Sequence, residues 1–379
     1  MILVIAFVPL RLTLIFMATV SANILSSPEP IVSNDAAFSR ELSKKFREFT
    51  SNGTKNLKGG LPLLMKSIFY LSFVIMIYTF LLSVELSILN VALVSCLLGV
   101  FVALSGINIT HDGVHDTFSK KQWLNHSAAF VLNVLGASSY YWKTKHTISH
   151  HFYTNIHEKD ADLEQGMLLR LHPSQKKRFI HRYQHIYFPF LYALSYIIWS
   201  LFLDPQKYFS SKTGDFEFTK MKAKDHIIFW LGKALTISIF MIAPVLAMGY
   251  LKAIILYLCF GVFCGLTLSL IFQLAHIIEG VSFQSIKGGK EENWFVHQIK
   301  TTANFSSKSK FIHFICGGLN FQIEHHLFPK VSHIHYPKLS KIVKETCDKF
   351  NIGYNNYPTF MDAMRSHVTQ LKKLGTTIA

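Results

Sequence analysis

The chain has 379 residues, 50% of them apolar and 16% charged, with a mean hydropathy of +0.29. Those proportions exclude a disordered or fibrous chain and point to a membrane protein. Lys and Arg outnumber Asp and Glu by 38 to 22, a net charge of +16. No recognition motif accompanies that charge, so nucleic acid is not an expected partner; membrane lipids or phosphate-bearing substrates suit it better.

In chain order, residues 1–26 read as an apolar N-terminal extension. Met1 to Leu25 ends in small residues, as a signal peptide does, but lacks a basic start and carries Arg11 in mid-stretch. Residues 27–379 are expected to form one domain, opening with an amphipathic helix over about 35–50. Apolar runs predict membrane spans at about 67–84, 87–110, 229–250 (uncharged from Ala234, after Lys233) and 253–275, each near the length a bilayer requires. Gly249 would sit in a very short turn between the last two. The run at 187–203 is uncharged but contains Pro189. If residues 151 and 322 serve one site, an even number of crossings separates them, so this run is expected to lie in the interface. Basic residues concentrate in 39–66, 120–224 and 280–373, whereas the inter-span turns hold only Glu85 and Lys252. The positive-inside rule then puts both termini and the middle section in the cytoplasm. Residues 336–374 alternate apolar and basic at helical spacing, as cytosolic helices covering a site would. The five cysteines show no CxxC spacing and read as reduced structural residues. The expected fold is an all-α multi-pass membrane protein, with four transmembrane helices in two hairpins under a cytosolic helical cap.

Histidine patterning carries the chemistry. His111 and His115 lie in HDGVH, His146, His150 and His151 in HTISHH, and Gln322, His325 and His326 in QIEHH. His276 ends the last uncharged run. Residues three or four apart share a helix face, so each cluster can aim two or three rings at one point. Imidazole binds transition metals, and one ion takes about four ligands. Eight imidazoles and an amide are therefore enough for a di-metal site.

These segments, with HDGVHDTFSK at 111–120, WKTKHTISHHFYTNI at 142–156, ENWFVHQIKTTANF at 292–305 and GGLNFQIEHHLFP at 317–329, resemble the membrane-bound fatty acid desaturases over about 35–375. The resemblance is closest to the bacterial linoleoyl-CoA (front-end, Δ6-type) desaturase-like group, which glutamine at the first position of the third box marks. It implies two iron ions (Fe2+/Fe3+), O2 as co-substrate, and removal of two hydrogens from a fatty acyl chain carried on CoA or a phospholipid. His111, His115, His146, His150, His151, His325 and His326 would be iron ligands. His276 occupies the place of an additional family histidine, and Gln322 stands where many relatives have a ligating one. Asp112, Asp116, Asp160, Asp162, Glu324 and His157 are candidates for holding those rings in place. Trp142, Tyr140, Tyr141, Trp294 and Phe295 are candidate walls of an acyl tunnel, and Lys143, Lys145 and Arg182 candidate headgroup contacts. Phe272, one turn before His276, departs from relatives with a polar residue there. His172-Pro173 is followed by Ser174-Gln175 and not by the two glycines of a haem-binding cytochrome b5 motif. Electrons are thus expected from a separate donor of ferredoxin or cytochrome b5 type. The resemblance also favours a bacterial plasma membrane.

Histidine boxes of this kind also serve membrane hydroxylases of alkyl, sterol or carotenoid substrates, which a product bearing oxygen would reveal. A non-catalytic metal transporter is the remote alternative, since transporter ligands lie near the midplane and these clusters lie at span ends. His297 is expected to support the site or the substrate. His126, His172, His181, His185, His226, His333, His335 and His367 read as surface or interface residues.

Overall fold

A computed structural model describes residues 34–51, 53–164, 166–214, 216–284 and 293–377. The N-terminal extension 1–26 lies outside the described residues. Helix α1 spans Asn34–Phe49. Two long apolar helices follow, α2 at Gly60–Ser83 and α3 at Ile88–Val114. The side chain of Ser87 caps α3 by accepting from the Asn90 amide at 3.3 Å, the usual role of serine at a helix start. Apolar side chains such as Leu61, Met65, Ile75, Leu89 and Leu93 point outward on α2 and α3. A helix apolar all round belongs in lipid.

Helices α4 (Gln122–Val134) and α5 (residues 139–153) follow, and α5 carries the second histidine cluster. The helical stretch α6 covers Phe179–Ser210 and α7 covers Ala223–Gln273. Helix α7 is two limbs broken at Gly249, whose φ of 79° and ψ of 168° suit glycine alone. The limbs fold back on each other, with Phe240 stacked on Phe260 at 4.8 Å between ring centroids. Helix α3 lies against the second limb so closely that a Cβ on Gly99 would stand 2.2 Å from the Phe260 carbonyl oxygen.

Thus, among the described residues, four helical stretches are long and apolar enough to cross a membrane: α2, α3, α6 and the doubled α7. Helix α6 extends well beyond the uncharged run at 187–203. Both its ends meet the part of the molecule that bears the histidines. Phe188 packs in a cluster with Ile277 and Leu371, and buried Asp204 accepts from the Ser138 amide at the start of α5 at 2.5 Å.

The remaining elements form a cap: α8 (Trp294–Thr301), α9 (Lys310–Ile315), α10 (Gln322–Leu327), α11 (Tyr336–Phe350) and α12 (Phe360–Thr376). Phe38 and Leu42 of α1 pack with Leu339, Val343 and Cys347 of α11, and with Ile323 and Leu327 of α10. A short parallel pairing of Asn304–Phe305 with Asn356–Tyr357 ties the two halves of the cap. Arg170 is fully buried, and its guanidinium donates to the Leu374 and Thr377 carbonyls at the end of α12, at 2.5 and 2.9 Å. All five cysteines are free.

Of the histidines read from the sequence as surface or interface residues, His172, His181, His333 and His367 are buried. Each ring has an internal partner. His181 Nε2 lies 2.9 Å from the Met167 carbonyl, His172 Nδ1 accepts from the Ser174 amide, His333 meets Asp112, and His367 meets Tyr192. Such contacts join distant segments, and local polarity does not reveal them.

Candidate metal centre

Two of the three histidine boxes sit on π-turns, Gly106–Thr110 ahead of His111 and Lys145–His150 through the second box. Such wide turns are rare and recur at functional sites. Their effect on register is direct. The His151 amide bonds the His146 carbonyl five residues back, so these two rings share a face and their Nε2 atoms lie 3.2 Å apart. Simple helical spacing pairs His146 with His150; those ring centroids are farther apart, at 5.5 Å against 4.6 Å for His146 and His151.

The boxes converge. One ligand atom each from His111, His115, His146 and His325 lie within 4.8 Å of one another. So do those of His150, His276 and His326, and those of His151, His325 and His326. All eight imidazoles, and Gln322, are buried. Seven buried acceptors or donors lack any hydrogen-bond partner among the described residues: Nε2 of His111, His115, His325 and His326, Nδ1 of His151 and His276, and the Gln322 amide oxygen. Buried polar atoms are nearly always paired. Imidazole tips left bare in one cavity are a donor set that fits metal ions.

Electrostatics agree. Burial, and then repulsion between neighbouring rings, holds His115, His146, His151, His325 and His326 well below the ordinary histidine range. Neutral imidazole is the form that ligates. His150 differs: burial pulls it down, but the Asp160 and Asp162 carboxylates outweigh that and hold it above its ordinary value.

The far ring nitrogens are anchored. Asp160 lies 3.2 Å from His150 Nδ1, and its Oδ2 also accepts from the Asn155 amide at 2.9 Å. Tyr336 Oη lies 3.1 Å from His325 Nδ1, and Gln298 Oε1 2.9 Å from His326 Nδ1. The Gln322 amide nitrogen lies 2.8 Å from His276 Nε2. Packing also matters: a Cβ on Gly113, inside the first box, would stand 2.6 Å from the Ala129 amide of α4.

Other candidates lie elsewhere. Asp112 is buried, but its carboxylate engages His333 at 2.6 Å, Ser332 at 2.9 Å and Thr117 at 2.7 Å, not a box ring. Asp116 meets Gln122, Lys330 and Lys143 near the surface. Glu324 accepts from Asn304 at 2.8 Å and Tyr354 at 2.9 Å, and burial raises its pKa to about 7. His157 stacks on His172 at 5.2 Å, away from the clusters. These side chains share segments with the boxes, but helical geometry turns them to other faces. Trp142 stacks on His146 at 4.7 Å, and Phe272 meets the same ring edge-on at 6.4 Å. Lys145 is paired with Asp162, and Trp294 packs with Phe295 against the α1–α11 cluster. Sequence reasoning missed Gln298, Tyr336 and Thr154; on α8 it singled out Trp294, Phe295 and His297, and the box rings that the three missed residues meet lie 11 to 172 residues away.

Comparison with known proteins closes the argument. The fatty acid desaturase family description matches residues 86–358. An sn-1 linoleoyl-lipid 6-desaturase of Arthrospira platensis is 33% identical over 341 residues, 89% of this chain and 92% of the relative. A second of that name, from Synechocystis, is 32% identical over 297 residues, 75% of this chain and 81% of its own length. An acyl-lipid (8-3)-desaturase of Physcomitrium patens is 37% identical over 288 residues, covering 74% of this chain and 59% of that longer protein. Relatives a third identical across nearly the whole length, and a family match over most of it, make this chain a member of the fatty acid desaturase family, a membrane enzyme that introduces unsaturation into fatty acyl chains.

Proposed function

We propose that the chain is an oxygen-dependent front-end desaturase that places a cis double bond in the acyl chain of a membrane lipid. Its relatives are named for that activity on acyl-lipids. The observation that carries the reading is the set of bare, buried imidazole tips converging in two groups. In this reading His111, His115, His146 and His325 hold one iron, and His150, His276 and His326 the other. His151, grouped with His325 and His326, would serve either ion, and the unpartnered Gln322 amide oxygen would be a further candidate ligand beside His276. When bound, the two irons supply the oxidising power that unactivated carbon–hydrogen bonds demand. The balance is two hydrogens lost from the chain, two electrons and two protons taken from outside, and O2 reduced to two waters. A separate one-electron carrier delivers the electrons.

The protein's own residues position and insulate. Trp142 and Phe272 flank His146 and form an apolar wall against which a methylene chain can lie. Holding one carbon–carbon bond near the imidazole groups converts an encounter into an oriented reaction. Lys143, whose ammonium lies 3.6 Å from Asp116, stands at the rim for a headgroup.

Topology follows from parity. His150 and His276 have ring centroids 4.6 Å apart, so the chain between them crosses the membrane an even number of times. The two limbs of α7 are two crossings, and α6 therefore lies along the membrane surface. Residues 27–379 form one unit with four spans and both ends cytoplasmic, and the chemistry suits a bacterial plasma membrane.

The test is gas chromatography–mass spectrometry of lipids from cells fed linoleate and expressing wild type or His326→Ala. A new polyunsaturated acid in wild type alone is the expected result. An oxygenated product from the same cells would overturn desaturation in favour of hydroxylation.

A further inference from the structure

Helix α8 carries none of the box histidines, yet its Gln298 is completely buried and touches two boxes at once. The amide nitrogen donates to the His151 carbonyl at 3.0 Å. That bond orients the amide, so Oε1 is the atom 2.9 Å from His326 Nδ1. A carbonyl oxygen only accepts, so Nδ1 of His326 must carry the proton. Thr154 does not change this: its hydroxyl donates to the His150 carbonyl at 2.7 Å, and its oxygen stands 3.1 Å from the same Nδ1 as a second acceptor. With the proton fixed on Nδ1, Nε2 of His326 is a bare lone pair. It is buried, has no hydrogen-bond partner among the described residues, and faces His150 and His276.

We infer that Gln298 is a positioning residue that fixes the tautomer of His326 and so keeps the His150–His276–His326 group competent to hold its metal ion. The inference rests on the proposed two-metal reading of the centre. Without the amide oxygen only the longer Thr154 contact, at 3.1 Å, holds the proton on Nδ1, and the tautomer with the proton on Nε2, where it would point at the ion, becomes accessible. Ring partners of this kind tune ligand affinity by about 10–100-fold. Among the described residues Gln298 forms no hydrogen bond with His111, His115, His146 or His325, so the effect should fall mainly on one of the two ions.

The test compares wild type, Gln298→Leu and Gln298→Glu, purified in detergent and loaded without oxygen with iron(II) or, separately, cobalt(II). Metal per chain is counted by plasma mass spectrometry, and Mössbauer spectra are taken with 57Fe. The expected wild-type content is two ions per chain, falling toward one in Gln298→Leu. Glutamate still accepts from Nδ1, so Gln298→Glu should restore two ions, with one of the two iron signals shifted and the other unchanged. A Leu variant that keeps two ions with an unaltered spectrum overturns the role of Gln298. If the Leu variant fails to fold, the Glu variant decides: an unshifted pair of iron signals overturns the inference. A wild type that binds fewer than two ions of either metal sinks the centre itself, a result distinct from failure of Gln298 alone.

Discussion

The Nε2 atoms of His146 and His151 face each other at 3.2 Å inside the protein. Burial, and then repulsion from neighbouring rings, holds both well below the ordinary histidine range. A second, charging proton on this pair is therefore disfavoured near neutral pH, which leaves the rings in the neutral form that can ligate a metal ion. If the folded state holds such an ion and the unfolded chain binds it far more weakly, loading should stabilise the fold by at most about 2.7 kcal/mol at a free metal concentration one hundred times Kd. Thermal unfolding in detergent, with and without chelator, measures this. His151→Ala should abolish most of the metal-dependent gain in Tm, and an equal gain in variant and wild type would refute it.

The pairing of His150 with Asp160 gives a second prediction. The carboxylate holds the ring at 3.2 Å and also accepts from the Asn155 amide. Asp160→Asn keeps the size but removes the charge that holds His150 above its ordinary pKa. Metal affinity and turnover should fall about 10–100-fold, as measured by competition with a chromophoric chelator. Asp116→Asn, with partners near the surface, should leave the affinity unchanged.

How much of this could be read from the sequence differs by element. The box histidines are legible because their spacing is local, and one helix turn suffices to group them. The π-turns are not, since nothing in GINIT or KHTISH announces a wider turn; His151, not His150, therefore meets His146 most closely. Long-range partners are equally silent. Tyr336 and Gln298 reach box rings from elements that carry no ligand, and Asp112 reads from the sequence as a candidate support for the box rings, whereas the fold pairs it with His333. The apolar runs gave helix positions well, yet α6 extends beyond its uncharged core because a helix can continue through Asp204 once that carboxylate has internal donors.

Asp204 supplies the third prediction. It is fully buried at the end of α6, with the Lys233 ammonium of α7 at 3.5 Å and the Trp199 indole donating at 2.8 Å. Lys233 also donates to the Gly136 and Ser200 carbonyls, at 2.9 and 2.8 Å. Lys207 also pairs with Asp204, at 3.6 Å, so removing Lys233 should cost stability, but less than a wholly stranded buried charge does, about 3–5 kcal/mol. Lys233→Met should therefore unfold at clearly lower denaturant than wild type. The double variant Lys233→Met with Asp204→Asn should recover part of the loss, and strict additivity of the two single effects would show that the pair is not coupled.

The last prediction concerns acid. His367 of α12 is fully buried, with Nδ1 2.6 Å from the Ile277 carbonyl and Nε2 3.1 Å from Tyr192 Oη. Burial lowers its pKa to about 4. Unfolded, the ring titrates near 6.5, so between those values the unfolded chain binds a proton that the folded chain refuses. Stability must then rise with pH across that window. The contribution is complete above about pH 6.5 and lost as pH falls toward 4, about 3 kcal/mol at most on the scale of 1.36 kcal/mol per unit. His172, also lowered to about 4 by burial and then His157, adds in the same direction. Denaturant unfolding at pH 7.5 and pH 5 should show this loss, and His367→Asn should shrink the difference between the two pH values even while lowering stability at both. An unchanged pH dependence in that variant would mean that the ring does not titrate as its burial demands.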